Sequence, residues 1–289
     1  YDAIDGVKEE HEEKALSLDK TKGRNELVKW LNGKKGCLSW KLDGLTLVAT
    51  YDNGKITKLV TRGNGRIGTV VNNLIGGISG LPMQIKFKGH LIVRGEGLIS
   101  YSKFEEVNAK LGGKYENPRN LASGTVTKND KTVAKERGLS FNAFELVKTN
   151  MGMPSNDFSK NLDWLKGEGF TVVDHSVVTP ETILSEIEKY SELINDFDIP
   201  SDGLVLQLED IAYGKSLGMT GRFPRNAIAF KWQDKTVKTT ITDITYQVGR
   251  TGTINPVVHF LPVRLEGTTV EQATGNNVSF MEKHHLTVG

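Results

Sequence analysis

A lysine at position 41, inside Trp40-Lys41-Leu42-Asp43-Gly44, is followed in fixed order by four further short motifs. They are Thr61-Arg62-Gly63-Asn64-Gly65, Val93-Arg94-Gly95-Glu96, Ser201-Asp202-Gly203-Leu204-Val205 and Ala227-Ile228-Ala229-Phe230-Lys231. Any one of them is short enough to arise by chance, and a solitary Lys-x-Asp-Gly is most simply a surface lysine at a strand end. Together they put an amine nucleophile, a carboxylate for a sugar hydroxyl and a second lysine for phosphate into one chain, the inventory of covalent nucleotidyl transfer. A lysine amine attacks only with its lone pair free, which desolvation or neighbouring cations favour. Attack on an α-phosphorus then leaves a phosphoramide.

Arg62 sits on a glycine-loosened turn and reads as a phosphate or ribose contact. Glu96 ends an alternating run, where a carboxylate can accept from ribose hydroxyls; the plainer alternative is a solvated strand end. Lys231 closes an apolar run that should be buried, so its charge needs a partner, either a bound phosphate or a carboxylate. Asp202 is the carboxylate to choose for a nucleotide-borne Mg²⁺, which keeps most of its waters and needs only one or two carboxylates plus phosphate oxygens. The six histidines (His11, His90, His175, His259, His284, His285) show no metal-ligand spacing, so a metal held by side chains alone is not expected. Gly63-Asn64-Gly65-Arg66-Ile67-Gly68 fits the Gly-x-Gly-x-x-Gly dinucleotide fingerprint. Its strand is the second arm of an antiparallel hairpin, and no acidic residue lies at 81–90 to hold a ribose, so that reading is set aside.

These residues must be positioned by elements that the pattern outlines. Strand-like runs at 45–51 and 55–62 flank Asp52-Asn53-Gly54, and Asn-Gly between two such runs predicts a hairpin directly after Lys41. Further strands are expected at 90–94, 139–146 and 203–208, and helices at 101–111, 161–168 and 180–197. Helix and strand mix without a βαβ rhythm, which favours an α+β fold with antiparallel sheets. Residues 1–36 read as a helical lead-in, with helical character at 4–14 and 25–31. From 239 onward, short β runs (241–248, 257–265, 268–273) separated by Gly and Pro read as the start of a small, truncated β-barrel. The domains are therefore expected at 1–36, 37–238 and 239–289.

Composition sets wide bounds. At 289 residues and 37% hydrophobic content the chain holds one large domain or two modest ones, and a formal charge of +2 does not select nucleic acid as a partner. The single Cys37 excludes an internal disulfide, and no apolar run is long enough to span a membrane. The expectation is a cytoplasmic monomer, and a fragment, since the sequence opens without Met and stops in mid-pattern.

Longer blocks add to the motifs: Leu16-Ser17-Leu18-Asp19-Lys20, Asn117-Pro118-Arg119-Asn120-Leu121-Ala122-Ser123-Gly124, Leu217-Gly218-Met219-Thr220 leading to Pro224-Arg225, and Gln247-Val248-Gly249-Arg250-Thr251-Gly252. In these blocks residues 11–289 resemble the bacterial NAD-dependent DNA ligase family. The resemblance implies a nucleotidyltransferase (adenylation) domain followed by an oligonucleotide-binding barrel (OB-fold), with NAD and Mg²⁺ as cofactors and nicked double-stranded DNA as partner. It implies Lys41 as the nucleophile that takes AMP from NAD and passes it to a 5′-phosphate, with Lys231 stabilising phosphate charge. It also implies Arg62, Arg119 and Glu96 around ribose and phosphate, Asp43 and Asp202 in activation and metal binding, and Phe144 stacked on adenine. Ser39 and Gln207 face adenine in that frame, Leu42 lies beside the nucleotide, and Arg225, Arg250 and Thr251 lie on DNA.

The sequence departs from the family's pattern at five places. Ser39 replaces the usual Glu, Gln207 the usual Lys, Asn64 and Thr69 usual acidic residues, and Thr127 an arginine. Gln still donates and Ser still accepts, so base recognition is expected to survive with a charge lost on each side. The family's domain for the nicotinamide half is expected to be missing apart from Tyr1-Asp2. Two alternatives to an NAD-dependent ligase stay open: an ATP-dependent polynucleotide ligase, which shares the Lys-x-Asp-Gly core, and a nick-binding module with impaired catalysis.

Overall fold

The computed structural model describes residues 6–232, 237–249, 252–265 and 268–289. The chain divides into two units, Tyr1–Trp232 and Gln233–Gly289. In chain order the strands of the first unit are β1 (Lys8–Glu10), β2 (Asp19–Thr21), β3 (Gly36–Leu42), β4 (Leu45–Asp52), β5 (Lys55–Thr61), β6 (Ile67–Thr69), β7 (Leu91–Leu98), β8 (Ser140–Thr149), β9 (His175–Val178), β10 (Ser201–Leu208) and β11 (Ala227–Lys231). Its helices are α1 (Arg24–Leu31), α2 (Tyr101–Lys110), α3 (Pro118–Lys128), α4 (Lys131–Glu136), α5 (Phe158–Gly167), α6 (Ile183–Leu193) and α7 (Ile211–Ser216).

Two sheets carry this unit. One has the order β5-β4-β7-β8 and is antiparallel throughout. The other has the order β2-β11-β10-β3-β9, antiparallel except where β2 runs parallel to β11. The five-stranded sheet has two unlike faces because side chains alternate along each strand. Leu38 and Trp40 of β3, Leu204 and Leu206 of β10 and Phe230 of β11 are buried in the hydrophobic core. Helices α1 and α6 and the segment after α6 cover this face: Trp40 meets Tyr190 of α6 edge-on at 4.6 Å between ring centroids and stacks on Phe197, beyond the end of α6, at 4.4 Å. The other face carries Ser39 and Lys41, Val205 and Gln207, and Ala229 and Lys231, so a dry apolar face fixes the sheet while the opposite face is left for chemistry.

The hairpin forms as expected. Asn53 and Gly54 both take positive φ, 49° and 76°, the conformation a two-residue turn matched to strand twist requires. The lead-in does not form as expected: the helix read at 4–14 is absent over its described residues, where β1 pairs with β6 instead. Its glutamates and lysines are good helix formers, but tertiary partners win. Lys58 pairs with Glu9, the Arg94 guanidinium donates to the carbonyls of Glu13 and Lys14 at 2.8 and 2.9 Å, and the Ala15 N–H donates to the carbonyl of Gly65. Among the described residues of this stretch only α1 is helical. Helix α3 was not expected, although Asn117 caps it through the Asn120 N–H at 2.8 Å and Pro118 opens it.

The second unit comprises β12 (Ile241–Val248), β13 (Ile254–Leu265), β14 (Thr268–Thr274) and the short α8 (Val278–Lys283), the strands pairing antiparallel in that order. Tyr1, Asp2, Arg250 and Thr251 lie outside the described residues. Among the described residues no helix is long and apolar enough to cross a membrane.

Candidate active site

Lys41, Gly203 and Lys231 are register partners across β3, β10 and β11. Strict alternation would turn Asp202, the neighbour of Gly203, to the apolar face. The pairing of β10 with β3 shifts between Ser201 and Gly203, and this irregularity brings the Asp202 carboxylate round to the polar side. Lys41 Nζ donates to Asp202 Oδ1 at 2.8 Å and Lys231 Nζ donates to Oδ2 at 2.9 Å. Burial alone would push the Asp202 carboxyl up, but the two ammonium groups outweigh it and hold it below the usual carboxylate range. The same hydrogen bond holds Lys231 above its ordinary value. The partner of Lys231, left open between phosphate and carboxylate, is thus a carboxylate here.

Gly203 has no room for a side chain, since a Cβ would stand 2.0 Å from the Phe230 carbonyl oxygen. Gly44 is in the same position: its Cβ would meet the Gly97 carbonyl oxygen at 2.1 Å. Both Asp-Gly pairs therefore mark points where backbones approach closely enough to bring the acidic residues together with the lysines.

The turn from β3 to β4 brings in the other sheet. The Gly44 N–H and the Thr46 hydroxyl each donate to the Glu96 carboxylate at 3.1 Å, and Arg119, in the first turn of α3, donates to Asp43 at 2.7 Å. Burial pushes the Glu96 carboxyl up to about 7, against the pull of Gly44, Thr46, Lys41 and Arg119. The neutral form is favoured in the fold, so this carboxyl contributes stability below the unfolded value near 4.5 that is lost as pH rises through about 7. A shift of that size corresponds to about 3 kcal/mol. Glu96→Gln keeps the shape without the charge. Urea unfolding at pH 5 and pH 8 should show the parent losing stability relative to Glu96→Gln, and parallel pH dependence of the two proteins would disprove the assignment.

The remaining residues fall into two groups. Ser39 and Gln207 share the Lys41 face and are half-buried, and the Arg62 N–H bonds the carbonyl of Thr46, beside Glu96, at 3.0 Å. Phe144 is half-buried at the irregularity where β8 pairs with β7, between the partners of Gly95 and Arg94. The structure does not bring Leu42 into the cluster, because alternation turns it from the Lys41 face to pack on the core. Arg225 is exposed on the loop before β11. The Gly-x-Gly-x-x-Gly stretch is the turn from β5 to β6, followed by strand rather than helix. Sequence reasoning missed Thr46, a hydroxyl inside an apolar strand that only the register of β4 on β7 puts opposite Glu96. Among the described residues no group of three or more His, Cys, Asp or Glu gathers to hold a metal.

Comparison with known proteins agrees with this geometry. Residues 5–235 match the family model of the NAD-dependent DNA ligase adenylation domain and residues 238–289 that of the NAD-dependent DNA ligase OB-fold domain. A DNA ligase of Lachnoclostridium phytofermentans is 48% identical over 285 residues, covering 98% of this chain and 44% of that protein. One from Ruminiclostridium cellulolyticum is 48% identical, covering 98% and 43%, and one from Leptospira biflexa is 35% identical, covering 96% and 42%. The chain thus spans less than half the length of these curated relatives. A solved structure described as Pmar-Lig_PreS3 matches with a TM-score of 0.52 at 10% identity, covering 94% of this chain and 61% of that one, a likeness of fold alone. With two adjoining family models matched and near relatives aligned over almost all of its length, the chain belongs to the NAD-dependent DNA ligase family, of which it carries the adenylation and OB-fold domains.

Proposed function

We propose that this chain performs the nucleotidyl-transfer chemistry of an NAD-dependent DNA ligase that seals nicks, with Lys41 as the nucleophile. The observation that supports it is the Lys41–Asp202–Lys231 arrangement, an amine and a phosphate-binding cation on the two oxygens of one carboxylate. The Lys41 amine, its proton given up, forms a nitrogen–phosphorus bond to the α-phosphorus of NAD. The bond to the bridging oxygen breaks, and nicotinamide mononucleotide leaves with the electron pair. Asp202 accepts a hydrogen bond from that amine at 2.8 Å and so would orient it, and Lys231 would neutralise phosphate charge. Glu96 and Arg62 are assigned to ribose and phosphate, and Asp43, itself held by Arg119, to activation.

A 5′-phosphate oxygen at a nick then displaces the lysine nitrogen, and the neighbouring 3′-hydroxyl displaces AMP. Asp202, with phosphate oxygens, would hold Mg²⁺, which supplies charge neutralisation on the phosphates when bound. Arg225, Arg250 and Thr251 are assigned to DNA and Phe144 to the adenine ring. The departures at Ser39 and Gln207 lie away from Lys41 and leave the phosphate end intact, which favours a working enzyme over a module that only binds nicks.

The donor is tested by intact-protein mass spectrometry after incubation with NAD or with ATP. An adenylate adduct from NAD, with little from ATP, is expected. Labelling by ATP with none from NAD in any form of the protein would overturn the choice of donor.

A further inference from the structure

Arg62 is held on both sides of its own backbone. Its N–H donates to the carbonyl of Thr46 at 3.0 Å, beside Glu96, and its carbonyl accepts from Nε2 of the His11 ring, also at 3.0 Å. A carbonyl only accepts, so that nitrogen carries a proton. The two bonds fix the peptide planes before and after Arg62, and the direction in which its side chain leaves the Cα follows from those planes. One of the two anchors is thus a side chain 51 residues away in sequence.

The turn that carries Arg62 has little stiffness of its own. Between β5 and β6 it passes through Gly63 and Gly65, both at positive φ, 57° and 90°. The Asn64 side chain accepts from the N–H groups of Arg66 and Ile67 at 2.9 Å, and the Gly65 N–H donates to the Arg62 carbonyl at 3.0 Å, bonds that tie the turn only to itself. The lead-in ties it to the rest of the unit. The His11 N–H donates to the Arg66 carbonyl and the Ala15 N–H to the Gly65 carbonyl, each at 2.8 Å, and the Ala15 carbonyl oxygen stands 2.8 Å from where a Cβ on Gly65 would be. That segment is itself fastened to the four-stranded sheet, by the Arg94 guanidinium on the carbonyls of Glu13 and Lys14 and by Lys148 on Glu12 at 3.3 Å. Of the three bonds from the lead-in to turn carbonyls, two come from backbone N–H groups that any residue except proline supplies. The third depends on the His11 ring.

We propose that His11 is a positioning residue for Arg62, its ring holding the arginine's backbone so that the guanidinium meets the donor nucleotide, a proposal that rests on the assignment of Arg62 to ribose and phosphate. The probe is NAD, incubated with the whole chain, with the rate of adenylate adduct formation read by intact-protein mass. His11→Ala should slow the adduct about fivefold, the effect of one lost neutral hydrogen bond. His11→Gln keeps an N–H donor on a side chain of similar reach and should return to within about twofold of the parent. In an Arg62→Ala background His11→Ala should cost nothing further, since a residue that acts through Arg62 then has nothing left to position.

An unfolding curve on each variant separates these effects from loss of fold. The same loss repeated in the Arg62→Ala background, or a glutamine variant as slow as the alanine one, marks His11 as merely structural and overturns the proposal. A full rate in His11→Ala, when Arg62→Ala is slow, overturns the role of His11 alone. Arg62→Ala at the parent's rate removes Arg62 from the nucleotide and this proposal with it, and a parent chain that forms no adduct from NAD overturns the donor reading on which both stand.

Discussion

Lys41→Ala should leave the chain folded and abolish the adenylate adduct. The Lys41 side chain is partly exposed and makes one ion pair, and Asp202 keeps its bond to Lys231 when that pair is lost. The stability change should therefore be about 1 kcal/mol or less. Loss of the nucleophile is different in kind. Lys231 is not expected to substitute, because its ammonium, on the other oxygen of Asp202, is assigned to the phosphate charge. Incubation with NAD followed by intact mass measurement reads the result directly. A variant that retains the adduct at full yield would remove Lys41 from its assigned role.

Gly203→Ala should be the most damaging methyl addition in the site. The new Cβ would sit 2.0 Å from the Phe230 carbonyl oxygen and 3.1 Å from the Lys231 Cα, both backbone atoms in the adjacent strand. No side-chain rotation relieves this, so β10 and β11 must separate where Lys41 and Lys231 meet Asp202. A destabilisation of about 3 kcal/mol or more is expected, together with loss of the adduct. Gly167→Ala is the control. Nothing lies within 4 Å of its Cβ, and alanine at the end of α5 should be neutral or stabilise by about 0.5–1 kcal/mol. Equal denaturation midpoints for the two variants would show that the close approach at Gly203 is not a constraint.

What could be read from the sequence was mostly local. Asn53-Gly54 announced its hairpin because turn chemistry is decided by two residues, and β12 and β13 followed from short β-rich runs between Gly and Pro. Lys41, Asp202 and Lys231 were found through the company their motifs keep. That they share one carboxylate was not legible, since this depends on the register of three strands and on an irregularity at Asp202 that no spacing encodes. The helix expected at 4–14 failed for the opposite reason: its residues favour helix locally, but Arg94 and Lys58, far away in sequence, hold the segment extended.

The topology also dictates the order in which the site can come into being. The four strands β4, β5, β7 and β8 lie within residues 45–149, and the first three follow one another in near sequence, so this sheet can form while the chain is still being synthesised. The five-stranded sheet cannot. Its edge strand β2, from residues 19–21, waits for β11 at residues 227–231, and β3 with Lys41 waits for β10 with Asp202. Such distant pairings close slowly and late. On the ribosome, Lys41 is among the first of the reactive residues to emerge and among the last to acquire its partners, so an incomplete chain presents a lysine with no carboxylate beside it and no chemistry to perform.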